Sequence, residues 1–164
     1  MPLALLVCSM VMAQGRVNPA GALLTPRTQH TATALTDGRV LVAGGRSQSA
    51  TDTLSSTELF DPATNRWKPG PPMGTSRSGH TATVLSDGRV LVVGGTAPAA
   101  DGSSRFDSLA SAEVFDAKRA TWTAVGPLTE ARNGHTATRL RDGSVLIIGG
   151  ARPVHQHLAS VERF

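Results

Sequence analysis

Three short apolar runs punctuate the chain: Val40 to Ala43, Val90 to Val93 and Val145 to Ile148. Each is rich in β-branched residues and has no polar face, the pattern of a strand covered on both sides. Before each run lies a stretch that alternates small and polar residues, and between the two stands AspGly, a pair suited to a tight hairpin turn. The pattern therefore predicts strand, hairpin, strand, three times over. The copies are HTATALTDGRVLVAGG from His30, HTATVLSDGRVLVVGG from His80 and HTATRLRDGSVLIIGG from His135, identical at eleven of sixteen positions and spaced 50 and 55 residues apart. A fixed period of this length is the mark of a repeat architecture. The paired glycines that close each copy, Gly44 and Gly45, Gly94 and Gly95, Gly149 and Gly150, stand where the backbone must turn or pack closely.

The rest of the unit follows from what comes after the glycines. Segments of different length, Arg46 to Thr57, Thr96 to Ala112 and Ala151 to Val161, sit at one fixed place in the unit and read as exposed loops. A third strand is predicted at Glu58 to Phe60, Glu113 to Phe115 and Glu162 to Phe164. A fourth is predicted around Trp67 and Trp122, entered through turns at Asp61-Pro62 and Asp116. In a meander of four antiparallel strands, alternate connections fall on opposite sides. The variable loops and the connectors leading into Arg27, Arg77 and Arg132 share one rim, and the AspGly hairpins and the Asp61 and Asp116 turns share the other.

Paired glycines after a hydrophobic run, then an aromatic, then a Trp in each unit resemble the kelch motif, whose units are blades of a β-propeller. Phe60 and Phe115 stand where that family often has Tyr. The resemblance covers Arg27 to Phe164 and implies an all-β fold, kelch-type β-propeller blades of four antiparallel strands. The chain then divides into residues 1–13, a candidate signal peptide; 14–26, a connector and candidate outer strand of a preceding or closing blade; blade 1 at 27–76; blade 2 at 77–131; and a truncated blade 3 at 132–164. About 2.75 blades are expected, an incomplete propeller that needs further blades or self-association for closure, since propellers usually close with four to eight.

Composition narrows the chemistry. The chain has 164 residues, no Tyr and one Cys, so a tyrosyl radical or a phenolic acid has no residue to reside on. Its formal charge is +4, but the fourteen Arg, with Lys68 and Lys118, are spread through the repeats and form no clustered footprint for nucleic acid. The first thirteen residues, MPLALLVCSMVMA, are too short to span a bilayer, and Val11 and Ala13 before Gln14 suit a secretory cleavage site. This places the protein in a secreted or periplasmic compartment, or in the cytoplasm if the segment is no signal. Cys8 lies within it, so the mature part forms no disulfide.

Candidate chemistry is sparse. Arg27, Arg77 and Arg132 each precede the repeat histidine by three residues, but a residue present in every blade is expected to fix packing, here by pairing with Glu58 or Glu113 or bonding loop carbonyls. His30, His80 and His135, the glycine pairs, and Trp67 and Trp122 are read in the same way, the tryptophans as wedges between blades. His155 and His157 have the spacing of ligands on an extended segment but no third partner nearby. Asp101, Gly102 and Asp107 lack the dense acidic spacing of a calcium loop. No nucleophile elbow is present. The expected function is a non-enzymatic scaffold without cofactor or metal, binding a protein or glycan through rim loops that carry Arg46, Asp101, Arg105, Arg152, His155 and His157. The alternative is a fragment of a secreted propeller enzyme. The repeats are also similar to the kelch domains of galactose oxidase and glyoxal oxidase, but no residue here matches their copper, tyrosine and crosslinked cysteine.

Overall fold

Each AspGly turn closes as the pattern requires: Leu35 N–H donates to Arg39 C=O at 2.8 Å, and Gly38 takes φ +87°, a conformation that glycine adopts without cost. The computed structural model describes residues 20–49, 52–103, 105–153 and 156–164. The candidate signal segment, residues 14–19 of the connector read as a candidate outer strand, and His155 lie outside the described residues.

The first sheet is a meander of β1 (Thr31–Ala34), β2 (Val40–Ala43), β3 (Thr57–Asp61) and β4 (Arg66–Gly70), in that spatial order. The second has β5 (Thr81–Val84) and β6 (Val90–Val93), then a small hairpin of β7 (Thr96–Pro98) and β8 (Phe106–Ser108), then β9 (Ala112–Asp116) and β10 (Thr121–Val125). Its order is β5-β6-β9-β10, with β7 and β8 paired to each other outside it. The third has β11 (Thr136–Arg139) and β12 (Val145–Ile148), a hairpin of β13 (Ala151–Arg152) and β14 (Gln156–His157), and β15 (Val161–Arg163). Among the described residues its order is β11-β12-β15. All pairings are antiparallel, and every described regular element is a strand. The first two sheets are thus four-stranded antiparallel blades of the expected kelch type, and the third shows three strands among the described residues. The variable segments of the second and third units are more ordered than the predicted loops: each folds into its own two-stranded hairpin.

The register decides which residues meet. Leu41 opposes Thr33 and Leu59, so these share one face of the first sheet; Val40 opposes Ala34 and Phe60 on the other. Leu41, Ala43 and Leu59 pack on Val90, Val92 and Phe115 of the second sheet. Leu91, Val93 and Val114 of the second sheet pack in turn on Val145 and Ile147 of the third. The blades are therefore layered face to face, and the core lies between them. Burial of apolar area at about 25 cal/mol per Å² drives this layering. The expectation that every apolar run is covered on both sides holds for β6 and fails at the end of β12, where Ile148 is 41% exposed against 1% for its counterpart Val93. Ile148 faces away from the second sheet, and no described residue packs over it.

Trp67 and Trp122 lie on the outer strands, each tilted against the Phe of the neighbouring strand with ring centroids 5.0 Å apart. Trp122 reaches the preceding connector, donating from Nε1 to Pro71 C=O at 3.0 Å, and it packs in the core between the first two blades. Trp67 does the same towards Ala20 C=O at 3.2 Å.

Candidate functional site

Two groups of polar residues must be told apart: those the repeat duplicates and those it does not. Arg77 shows the first. Its Nη1 donates to Gly94 C=O at 2.7 Å and Ser111 C=O at 3.1 Å, and its Nη2 to Ser111 Oγ at 3.1 Å and Glu113 Oε1 at 2.9 Å. Glu113 also accepts the backbone N–H groups of Gly74 and Thr75, so its two oxygens are saturated by charge-assisted and amide donors. Arg27 with Gly44, Ser56 and Glu58, and Arg132 with Gly149, Ser160 and Glu162, repeat these bonds. Each Arg fastens the connector before its blade to the second and third strands of that blade. Burial pulls the Arg77 pKa below the usual guanidinium value while Glu113 opposes the shift. Pairing with the glutamate and the loop carbonyls was expected from the sequence; the serine hydroxyls were not.

The histidines hold the next contact. His80 Nε2 lies 3.0 Å from Thr31 Oγ1 of the preceding blade, and His135 Nε2 lies 2.9 Å from Thr81 Oγ1. Burial, with Arg77 beside it, pushes the His80 pKa down to about 3; burial, with Arg132 beside it, pushes His135 down to about 4. Both rings are neutral at pH 7 and act as packing groups. The paired glycines make room for them. A Cβ on Gly94 would stand 2.5 Å from Arg132 C=O and 2.8 Å from His135 Cε1.

The second group lies on the rim of the variable loops. Arg46 stacks over the Phe106 ring at 3.9 Å, joining the loop of the first blade to that of the second. Ser108 Oγ and Asn133 Nδ2 both donate to Ala151 C=O, at 3.3 Å and 3.0 Å, joining the second loop to the third. Asp101 and Arg105 form an exposed pair at 2.7 Å; Ser103 and Arg105 hold the Asp101 carboxyl below the ordinary carboxylate range. Arg152 pairs with Glu130 at 2.6 Å, and His157 is exposed on β14. The structure thus places Arg105 in a shallow cleft of about 280 Å³, lined also by Asp52, Pro98 and Phe106, and Arg46 touches that cleft only through the Phe106 ring. Arg152 and His157 lie on the next blade along the same rim and do not join that cleft.

Phe106 was missed in the sequence. Its signal was present: Phe60, Phe115 and Phe164 occupy one repeat position, and Phe106 is the single Phe outside it. The opposite rim also has a cleft, about 260 Å³, lined by Asp37, Asp87, Arg89, Asp116, Lys118 and Arg119. Its carboxylates are paired within their own turns, Asp37 with Arg39, Asp87 with Arg89 and Asp116 with Arg119.

Residues 26–74 match the family model described as Kelch motif. No curated protein was found to match the chain. The match spans one unit, and the other two repeat its Arg, His and paired glycines, with each Arg in the same bonds.

Proposed function

We propose that the chain is a non-enzymatic interaction scaffold that binds a partner protein through the variable loops on one rim. One observation carries this. The Arg–Glu pairs shared by all units are consumed in packing, whereas Asp101, Arg105 and His157, which have no counterpart in the other units, are exposed on the rim of the variable loops. The three loops touch in series, so a flat partner surface meets them as one face. The cleft there is shallow, unlike the enclosed sites that bury a small ligand. Export belongs to the same reading and rests on the apolar first thirteen residues.

A charge-reversed rim tests it. Asp101→Arg with Arg105→Asp keeps the local pair and inverts its display, and Asp87→Arg with Arg89→Asp does the same on the opposite rim. Each purified chain is immobilised and offered the proteins of the compartment in which it is found. Proteins retained by the wild type and by the opposite-rim variant but lost by the loop-rim variant support the proposal. Equal retention by all three, or capture of glycans alone, overturns it.

A further inference from the structure

The two internal junctions between blades are stitched by the same five hydrogen bonds. At the first, Met73 N–H donates to Ser55 C=O, Arg77 N–H to Leu54 C=O, Gly79 N–H to Gln29 C=O and Gly45 N–H to Arg77 C=O, at 2.8–3.2 Å. His80 and Thr31 supply the fifth. At the second, Leu128 N–H donates to Ala110 C=O, Arg132 N–H to Leu109 C=O, Gly134 N–H to Gly79 C=O and Gly95 N–H to Arg132 C=O, at 2.9–3.1 Å. His135 and Thr81 complete it.

One half of this set stands open on each end of the stack. The first blade presents the N–H groups of Leu23, Arg27 and Gln29, the Arg27 C=O and the His30 ring. The third presents the C=O groups of Ala159, Leu158 and Gly134, the Gly150 N–H and the Thr136 hydroxyl. None of these ten groups has a hydrogen-bond partner among the described residues. The third-blade face also exposes Ile148 and Val161, at 41% and 54%, where the second blade buries Val93 and Ala112 at 1% and 2%. Donors on one end meet acceptors on the other in the order the internal junctions use. Two like ends facing each other would oppose three amide donors to three amide donors, an arrangement that leaves them unsatisfied.

We propose that two copies of this chain associate head to tail, the His30 face of each seated on the Ile148 and Val161 face of the other. Two sets of three blades make a six-bladed ring, within the range in which propellers close; three sets would make nine, outside it. Such a heterologous contact used twice closes on a twofold axis and leaves no end free. Both sets of variable loops then lie on the same rim.

Light scattering behind size exclusion on the full chain gives the first test. The expected mass is twice the 17.0 kDa of one chain, constant over a concentration series. Ile148→Glu with Val161→Glu, both at exposed side chains, halves that mass and leaves the circular dichroism unchanged. A wild type that runs at the mass of one chain, a mass that keeps growing with concentration, or a dimer that survives the double substitution overturns the proposal. Direction is read separately in a Cys8→Ser background with a short bis-maleimide. A His30→Cys chain mixed with a Thr136→Cys chain is expected to crosslink, and neither does so alone. Crosslinking of either chain with itself means that like faces pair, which also overturns it.

Discussion

Arg77 and Arg105 make the same bond, a guanidinium on a carboxylate at 2.9 Å and 2.7 Å, in opposite surroundings. The Arg77–Glu113 side chains are 0% and 6% exposed; those of Arg105 and Asp101 are 68% and 55% exposed. The first pair is also surrounded by carbonyls, hydroxyls and amides of three different segments. The second closes on its own loop. Charge pairing alone therefore says little about role in this chain; the number of segments each partner holds says more. The Arg–Glu pair that the repeat copies holds blades together, and the uncopied Asp101–Arg105 pair remains available to a partner.

Arg77→Ala breaks the comparison or sustains it with the largest effect. Removing one partner of a buried, hydrogen-bonded pair costs about 3–5 kcal/mol because the remaining charge stays behind unpaired. Urea unfolding should show that loss, while Arg105→Ala leaves the midpoint nearly where it was, as exposed pairs contribute little. Equal midpoints for the two variants would mean that burial of Arg77 contributes nothing to the fold.

The glycines give the same contrast without charge. Gly94 and Gly102 both hold positive φ, +62° and +73°, so an alanine at either bears the left-handed penalty of about 1–2 kcal/mol. At Gly102 the added Cβ meets nothing within 4 Å; at Gly94 it meets Arg132 C=O at 2.5 Å. Gly94→Ala is expected to cost about 2 kcal/mol beyond Gly102→Ala, in the range of overpacking a close junction. Matching thermal midpoints for the two would show that the junction yields.

Histidine protonation sharpens the contrast over pH. His80 and His135 have folded pKa values of about 3 and about 4, below the ordinary 6.5. The unfolded chain therefore binds more protons than the folded one below pH 6.5, so their contribution is complete above that pH and is lost progressively as pH falls towards 4. The slope is on the order of 1 kcal/mol per pH unit for each ring. Unfolding midpoints measured from pH 7 to pH 4.5 should fall in the wild type and fall less in His135→Gln; parallel curves would remove the histidines from the explanation.

Much of the scaffold was legible because it is local and repeated. The AspGly turn needs only four residues to specify it, and three copies of one run of residues expose the period and the strand order. Arg27, Arg77 and Arg132 could be assigned to packing for the same reason. The junction bonds were not legible, since they join backbone groups far apart in the chain, such as Gly79 N–H and Gln29 C=O, 50 positions apart, whose side chains carry no sign of the contact. The hairpins β7–β8 and β13–β14 were missed because strands of two or three residues are too short to show alternation. In the loops, Arg46 was singled out for its charge, but its partner was not.

That partner supplies the smallest and most pointed expectation, because Arg46 and Phe106 belong to the unrepeated residues and yet touch across a junction. The guanidinium lies 3.9 Å from the ring centroid, close enough for a cation–π contribution of about 0.5–1 kcal/mol at a partly exposed site. Phe106→Leu keeps an apolar side chain over Arg46 and removes the ring quadrupole. It is expected to lower stability by no more than that amount, and a double-mutant cycle with Arg46→Met should recover the same coupling. A coupling near zero would class Phe106 with Arg105, as display to a partner; a coupling well above 1 kcal/mol would class it with Arg77. The measured value therefore decides how far the division between copied scaffold and uncopied surface extends into the loops themselves.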